Sequence, residues 1–184
     1  ALAGMLNDYD NKVAAEAAWQ ISLLGEKYEA LSQQALKVMY FLPGLDNNGN
    51  PERSINTVRG AIAIGKKSES LARQSFEVLG AVYINPHAGP NDRWNHVVAE
   101  VARGMGVLAV KYPSLEDSAL NALERFAGQT KNADAVKGII DGAAQITAAT
   151  IDKDAKAQAM RILAMCKTRM GKRARDITSQ QQSK

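Results

Sequence analysis

The chain has 184 residues, the length of one domain or two small ones, and its 46% hydrophobic content excludes a chain that is disordered throughout. Aromatics at 5% beside abundant alanine favour close-packed helices over a β-sandwich or barrel, the single cysteine excludes an internal disulfide, and no apolar run approaches the roughly 20 residues of a membrane span. The net charge of +4 is lopsided: from Lys167 onward six bases face one acid, Asp176, for +5, while the other 166 residues carry 17 bases and 18 acids, for −1.

In chain order, Ala1-Leu2-Ala3 looks like the small-residue end of a secretory signal, but no apolar stretch precedes it, so the sequence reads as an excised domain or a processed chain. Apolar residues at helical spacing then predict eight helices, near 8–25, 28–42, 52–66, 68–84, 92–111, 114–128, 132–148 and 152–171. Trp19 lies on the first, where it covers the N-terminal end of the core. Leu42-Pro43-Gly44, running into Asp46-Asn47-Asn48-Gly49-Asn50-Pro51, is a long turn after the second helix. The stretch from Asn85 to Asp92, with Pro86, His87 and Pro90, separates the fourth from the fifth, and Trp94 stands at the start of the fifth. Ser114, followed by Glu116 and Asp117, reads as the N-cap of the sixth helix, and Asp152 as that of the eighth. Gly128 to Asn132 divides the sixth from the seventh. Beyond about residue 171 the chain is polar without an apolar face, either frayed or an extension of the last helix.

The even-numbered helices share one pattern. It runs Leu31, Ala35, Val38-Met39, Leu42, then Leu71, Ser75, Val78-Leu79, Val82, then Leu115, Ala119, Ala122-Leu123, Phe126, then Ala155, Ala159, Ile162-Leu163, Cys166, at offsets of 40, 44 and 40. That spacing puts all five residues of each copy on one helical face, with a small residue in the middle where a neighbour can approach. The odd-numbered helices align as well. Leu24-Gly25 stands opposite Ile64-Gly65, and Arg59-Gly60 opposite Arg103-Gly104. A two-residue insertion between Ala148 and Lys153 brings Asp141-Gly142 and Ile146 into the same columns. Glycine inside a helix costs about 1 kcal/mol against alanine, so Gly60, Gly104 and Gly142 predict places where another backbone passes close by.

A period near 40 with two helices per unit matches HEAT or armadillo-type units, and the even-helix pattern resembles the second helix of HEAT repeats. The chain departs from that family in lacking a proline in the odd helices. The family's usual Arg after the first apolar residue is here Ser32, Ala72, Glu116 and Lys156. The resemblance implies an all-α fold, a right-handed α-α superhelix (solenoid) of four HEAT-like hairpins, in a single domain over 1–171. The repeats fall at about 8–45, 51–87, 91–130 and 131–171, ahead of a basic and polar tail at 172–184. One hairpin cannot bury its apolar face alone, so stacked pairs share a continuous core and the first and fourth act as caps. Cys166 then falls in the column of Leu42, Val82 and Phe126 as a buried, inert thiol, and Met39 and Met160 fall in the core.

Chemistry-bearing patterns are few. His87 and His96 fit no metal spacing, and HEAT-like metal hydroxylases use His-Glu pairs, of which the sequence has none. Asp46, Asn48 and Asn50 start like a calcium loop, but Pro51 replaces its glycine and Thr57 its distal Glu. Gly60, Gly65 and Lys66 mimic a phosphate loop, with Lys67 in place of its Ser or Thr. Gly104, Gly106 and Ala109 mimic a dinucleotide fingerprint. Both motifs work only between a strand and a helix, and both lie inside predicted helices. HEAT-like alkylpurine glycosylases use aromatics and acids in a basic cleft, which the near-neutral body does not reproduce. No catalytic residue, metal ligand or cofactor is assigned.

What remains is a surface. In solenoids of this kind the second helices line the concave face, and Lys37, Arg73, Glu77, Asn121, Arg125 and Arg161 point outward from them. Mixed signs suit a protein or peptide partner better than a phosphate backbone, which demands a sustained excess of positive charge. The expected function is therefore a non-enzymatic interaction or scaffold module within a larger assembly. The alternative is a nucleic-acid binder working through the basic C-terminal tail.

Overall fold

The computed structural model describes residues 2–5, 10–41, 51–84, 92–130 and 132–182, with 2, 11, 83–84, 92–94 and 172–182 as backbone. The protein is all-α. Its helices are α1 (Leu2–Met5), α2 (Asn11–Lys27), α3 (Glu29–Phe41), α4 (Pro51–Gly65), α5 (Glu69–Ile84), α6 (Asp92–Lys111), α7 (Glu116–Gln129), α8 (Ala133–Ala149) and α9 (Lys153–Gln182), with a 3₁₀ turn over Pro113–Leu115 before α7. Among the described residues there is no strand, so the glycine motifs of α4 and α6 lack the strand their phosphate chemistry needs. The Asp46–Asn50 turn, His87, Leu42 and the side chain of Trp94 lie outside the described residues.

Side-chain caps set several helix starts. The Asp10 carboxylate accepts from Lys12 N at 2.8 Å, Asn132 Oδ1 from Asp134 N at 2.8 Å, and Asp152 Oδ1 from Asp154 N at 2.8 Å and Ala155 N at 2.9 Å. Ser114 is not the cap of α7. Pro113 draws it into the 3₁₀ turn, α7 begins two residues later at Glu116, and Leu115 stands at the cap position without a side-chain bond. The last helix runs on to Gln182, because Lys, Arg, Ala and Gln after Gly171 are helix formers and no proline interrupts them.

The helices pair as hairpins α2–α3, α4–α5, α6–α7 and α8–α9. The first helices pack in the order α2, α4, α6, α8, while α3 packs on α5, α5 on α6 and α7 on α9. No substantial contact joins α2 to α8 or α3 to α9 among the described residues. One apolar cluster runs through all four hairpins, from Leu36 and Met39 through Ile64, Leu108 and Phe126 to Ile162 and Cys166.

The aligned glycines are where the first helices close on each other. A Cβ added at Gly60 would strike Ser22 of α2, one at Gly104 would strike Ile62 of α4, and one at Gly142 would lie 2.5 Å from the Ala102 carbonyl oxygen of α6. Gly106 and Gly142 face each other, with the Cβ of the former 2.7 Å from the Cα of the latter. Met39 and Cys166 are fully buried as the pattern predicts, and burial pushes the Cys166 thiol above its ordinary pKa, which keeps it in the unreactive form. Met160 is a correction: it is 54% exposed. Its counterparts Leu36 and Leu120 are fully buried and Phe76 is half-buried, whereas α9, among the described residues, packs substantially on α7 and α8 alone. Trp19, at 40% exposure, covers the core only partly.

One buried position departs from its column. Ser75 is fully buried, stands where the other hairpins carry Ala35, Ala119 and Ala159, and its hydroxyl has no hydrogen-bond partner among the described residues. A Cβ on Gly65 would lie 2.7 Å from that hydroxyl, so the group is pressed against backbone. Ser75→Ala removes an unsatisfied buried hydroxyl and restores a better helix former. Urea unfolding is expected to show a gain of about 1 kcal/mol.

Candidate interaction surface

The second helices α3, α5, α7 and α9 carry the six predicted site residues, and all six are exposed: Lys37, Arg73, Glu77, Asn121, Arg125 and Arg161. The structure does not offer them equally. Arg73 Nη2 donates to Glu69 Oε1 at 2.7 Å and to Ser114 Oγ at 3.2 Å, and the Ser114 hydroxyl donates to the same carboxylate oxygen at 2.6 Å. Arg73 is thus part of a clasp between the second and third hairpins. Asn121 Oδ1 accepts from Gln158 Nε2 at 3.0 Å, and Gln158 also donates to Glu124 at 2.9 Å, which joins the third hairpin to the fourth. The Arg125 guanidinium lies 5.6 Å from the Phe126 ring centre. Lys37, Glu77 and Arg161 are the remaining exposed charges of the set, one each on α3, α5 and α9.

The clasp has a titration signature. The hydrogen bond from Ser114, and then that from Arg73, hold the Glu69 carboxyl below its ordinary pKa. A depressed acid contributes stability above its unfolded-state pKa and loses it as the pH falls through the folded-state pKa. A carboxyl-carbon NMR titration is therefore expected to place the Glu69 midpoint below the usual glutamate range, and Ser114→Ala to move it back up. An unmoved midpoint in that variant would remove the clasp.

On the first-helix layer, aligned residues form an ion-pair ladder that the sequence alone does not announce. Arg59 of α4 lies 3.6 Å from Glu100 of α6, Arg103 lies 3.8 Å from Glu100, and Arg103 Nε reaches Asp141 of α8 at 2.9 Å. The signal was available, because Arg59, Arg103 and Asp141 occupy one column. The sign change at the fourth copy is what lets the ladder close. Single exposed pairs contribute about 0–1 kcal/mol each.

The tail cluster is partly committed to the fold. Arg169 donates to the Thr130 carbonyl at 2.8 Å and the Gly128 carbonyl at 2.9 Å, and so caps the C-terminal end of α7. Lys167 is exposed, and the bases from Lys172 onward lie outside the described side chains. His96 Nε2 lies 4.0 Å from Asp134, and no group of three or more His, Cys, Asp or Glu is placed to hold a metal among the described residues. No described helix is long and apolar enough to cross a membrane.

The feature missed from sequence is an apolar groove at the N-terminal end of the row. It has a volume of about 260 Å³ and is lined by Ile21 and Leu24 of α2, by Leu31, Gln34, Ala35 and Val38 of α3, and by Ala3 of α1. The column pattern marked Leu31 as core, as it is in the other copies, and only the packing shows that face left partly open beside α1 among the described residues.

No family model, curated protein or solved structure matches the chain.

Proposed function

We propose that this chain is a short HEAT-like α-solenoid that works as a non-enzymatic scaffold, taking a protein or peptide partner along the face of its second helices. The observation that carries this reading is the run of exposed side chains Lys37, Glu77, Asn121 and Arg161, one from each second helix and of mixed sign. Such a surface matches a partner with alternating charges and repels a uniformly charged one. The near-neutral body supports the same choice.

Affinity capture from the native source tests it. Wild-type bait is expected to retain a defined protein, and the triple variant Lys37→Glu, Glu77→Lys, Arg161→Glu to lose it with unchanged circular dichroism. Equal retention by both baits would sink the second-helix face.

A second reading is a nucleic-acid binder, favoured by the continuation of α9 to Gln182, which carries the tail's bases past the last hairpin. Deleting residues 172–184 would then flatten a steep dependence of DNA or RNA binding on salt. A weak slope in the full chain would dismiss it.

A further inference from the structure

We propose that a second copy of this chain docks on the first hairpin, with its α8–α9 hairpin stacked against the α2–α3 end, so that copies join end to end. Aligned positions lose most of their cover at the two ends of the row, while between them the large apolar counterparts are buried or, as at Phe76, half-buried. At the leading end Leu31 is 38% exposed, against 6% for Leu71 and 4% for Leu115, and Leu24 is 36% exposed while Ile64, Leu108 and Ile146 are fully buried. A preceding hairpin packs against the inner copies, whereas among the described side chains α1 reaches the groove through Ala3. At the trailing end Met160 is exposed where Leu120 is fully buried, and Leu163 is half-buried where Met39, Leu79 and Leu123 are fully buried. Each end therefore presents the apolar face that the other end's counterpart covers within the row.

The polar groups indicate what the leading end receives. Lys111 Nζ and Tyr112 Oη, the latter at 3.0 Å, both donate to the Lys66 carbonyl just past the end of α4, and Lys67 Nζ donates to the Gly25 carbonyl near the end of α2 at 3.0 Å. Carbonyls at a helix C-terminus lack intrahelical partners and carry partial negative charge, so an ammonium and a phenol suit them. Lys27-Tyr28 is the aligned pair in the first hairpin. Lys27 lies 5.3 Å from the Tyr28 ring centre, as Lys111 lies 5.7 Å from that of Tyr112. Among the described residues neither the Lys27 ammonium nor the Tyr28 hydroxyl has a carbonyl of an earlier helix end to donate to, and the end of α8 in the second copy supplies one.

Charge follows the same register. Asn56 Nδ2 donates to the Ala15 carbonyl at 3.0 Å, and a Cβ on Gly138, one alignment column with Asn56, would strike Ala99, one column with Ala15. Continued across the ends, that register sets Glu16 opposite Lys137 of the second copy, both exposed and of opposite sign. One position departs: Gln20 stands in the column of Gly60, Gly104 and Gly142, and faces Ala144, smaller than Ile62. The seam between copies is accordingly looser than those within the row, and association is reversible. Because the two faces differ, the contact is heterologous and adds copies in a line instead of closing a pair.

Sedimentation velocity over a concentration series tests this. The wild-type mass is expected to rise with concentration beyond that of a dimer. Leu31→Glu and Met160→Glu, each at a partly exposed position, are expected to be monomeric, with helical content and thermal midpoint as controls. Mixing them restores one good seam, between the trailing end of Leu31→Glu and the leading end of Met160→Glu, so the mixture forms dimers and nothing larger. The double variant Lys27→Ala, Tyr28→Phe is expected to weaken association about tenfold. A wild type that stays monomeric at several hundred micromolar overturns the proposal. So does association that Leu31→Glu abolishes and Met160→Glu leaves intact, which would mean two leading ends meeting.

Discussion

Gly138→Ala is expected to destabilise the fold by about 2 kcal/mol, although alanine is the better helix former. The added methyl of α8 would meet the Cα, the carbonyl oxygen at 2.6 Å and the Cβ of Ala99 on α6, and two of those three are backbone atoms that no side-chain rotation can move. Relief requires α6 and α8 to separate along their closest seam, which also carries the facing pair Gly106 and Gly142. Gly80→Ala in α5 is the control: nothing lies within 4 Å of a Cβ there, so the same change is expected to raise stability by about 0.5–1 kcal/mol. Urea midpoints for the two variants, compared at a common m-value, check the sign of each. Equal stability of the pair would mean that α6 and α8 are not in backbone contact.

Phe126→Ala is expected to cost about 3–5 kcal/mol, the range for emptying a large buried aromatic site. Phe126 is fully buried near the end of α7, in one apolar cluster with Cys166 and Leu123. Met160→Ala, on the neighbouring α9, is expected to stay within about 0.5 kcal/mol because that side chain is already half in solvent. Chemical denaturation separates the two clearly. A Met160 variant as damaging as the Phe126 variant would put Met160 back in the core, where its spacing alone had placed it.

Those two residues mark how far the sequence can be read. Phe126 and Met160 both belong to apolar faces of second helices, and periodicity gives each the same standing. Burial, however, needs a second surface. Phe126 is fully buried in the cluster that α7 and α9 share, and Met160 on α9 is left half in solvent. Leu31 is the mirror case at the other end. The helix boundaries near Gly65, Lys111 and Gln129 were legible because turn residues follow them. The start of α7 was not, because Ser114 is a sound N-cap by type and only the 3₁₀ turn set by Pro113 shows its hydroxyl turned to Glu69 instead. Among the six surface residues, exposure was predictable from their positions in the pattern. The engagement of Arg73 with Ser114, and of Asn121 with Gln158, was not, since partners 41 and 37 residues away enter through packing alone.

By itself the sequence determined the all-α class, the pairing of helices and the glycines where the first helices crowd each other, because helical periodicity and the cost of glycine are local properties of the chain; that backbone meets Gly142 while side chains meet Gly60 and Gly104 came from the packing. Which apolar faces are covered, which charges are spent between hairpins and which face lies open at each end were decided only by tertiary structure. Those depend on what stands opposite a residue, and a column of similar residues cannot say where the row stops.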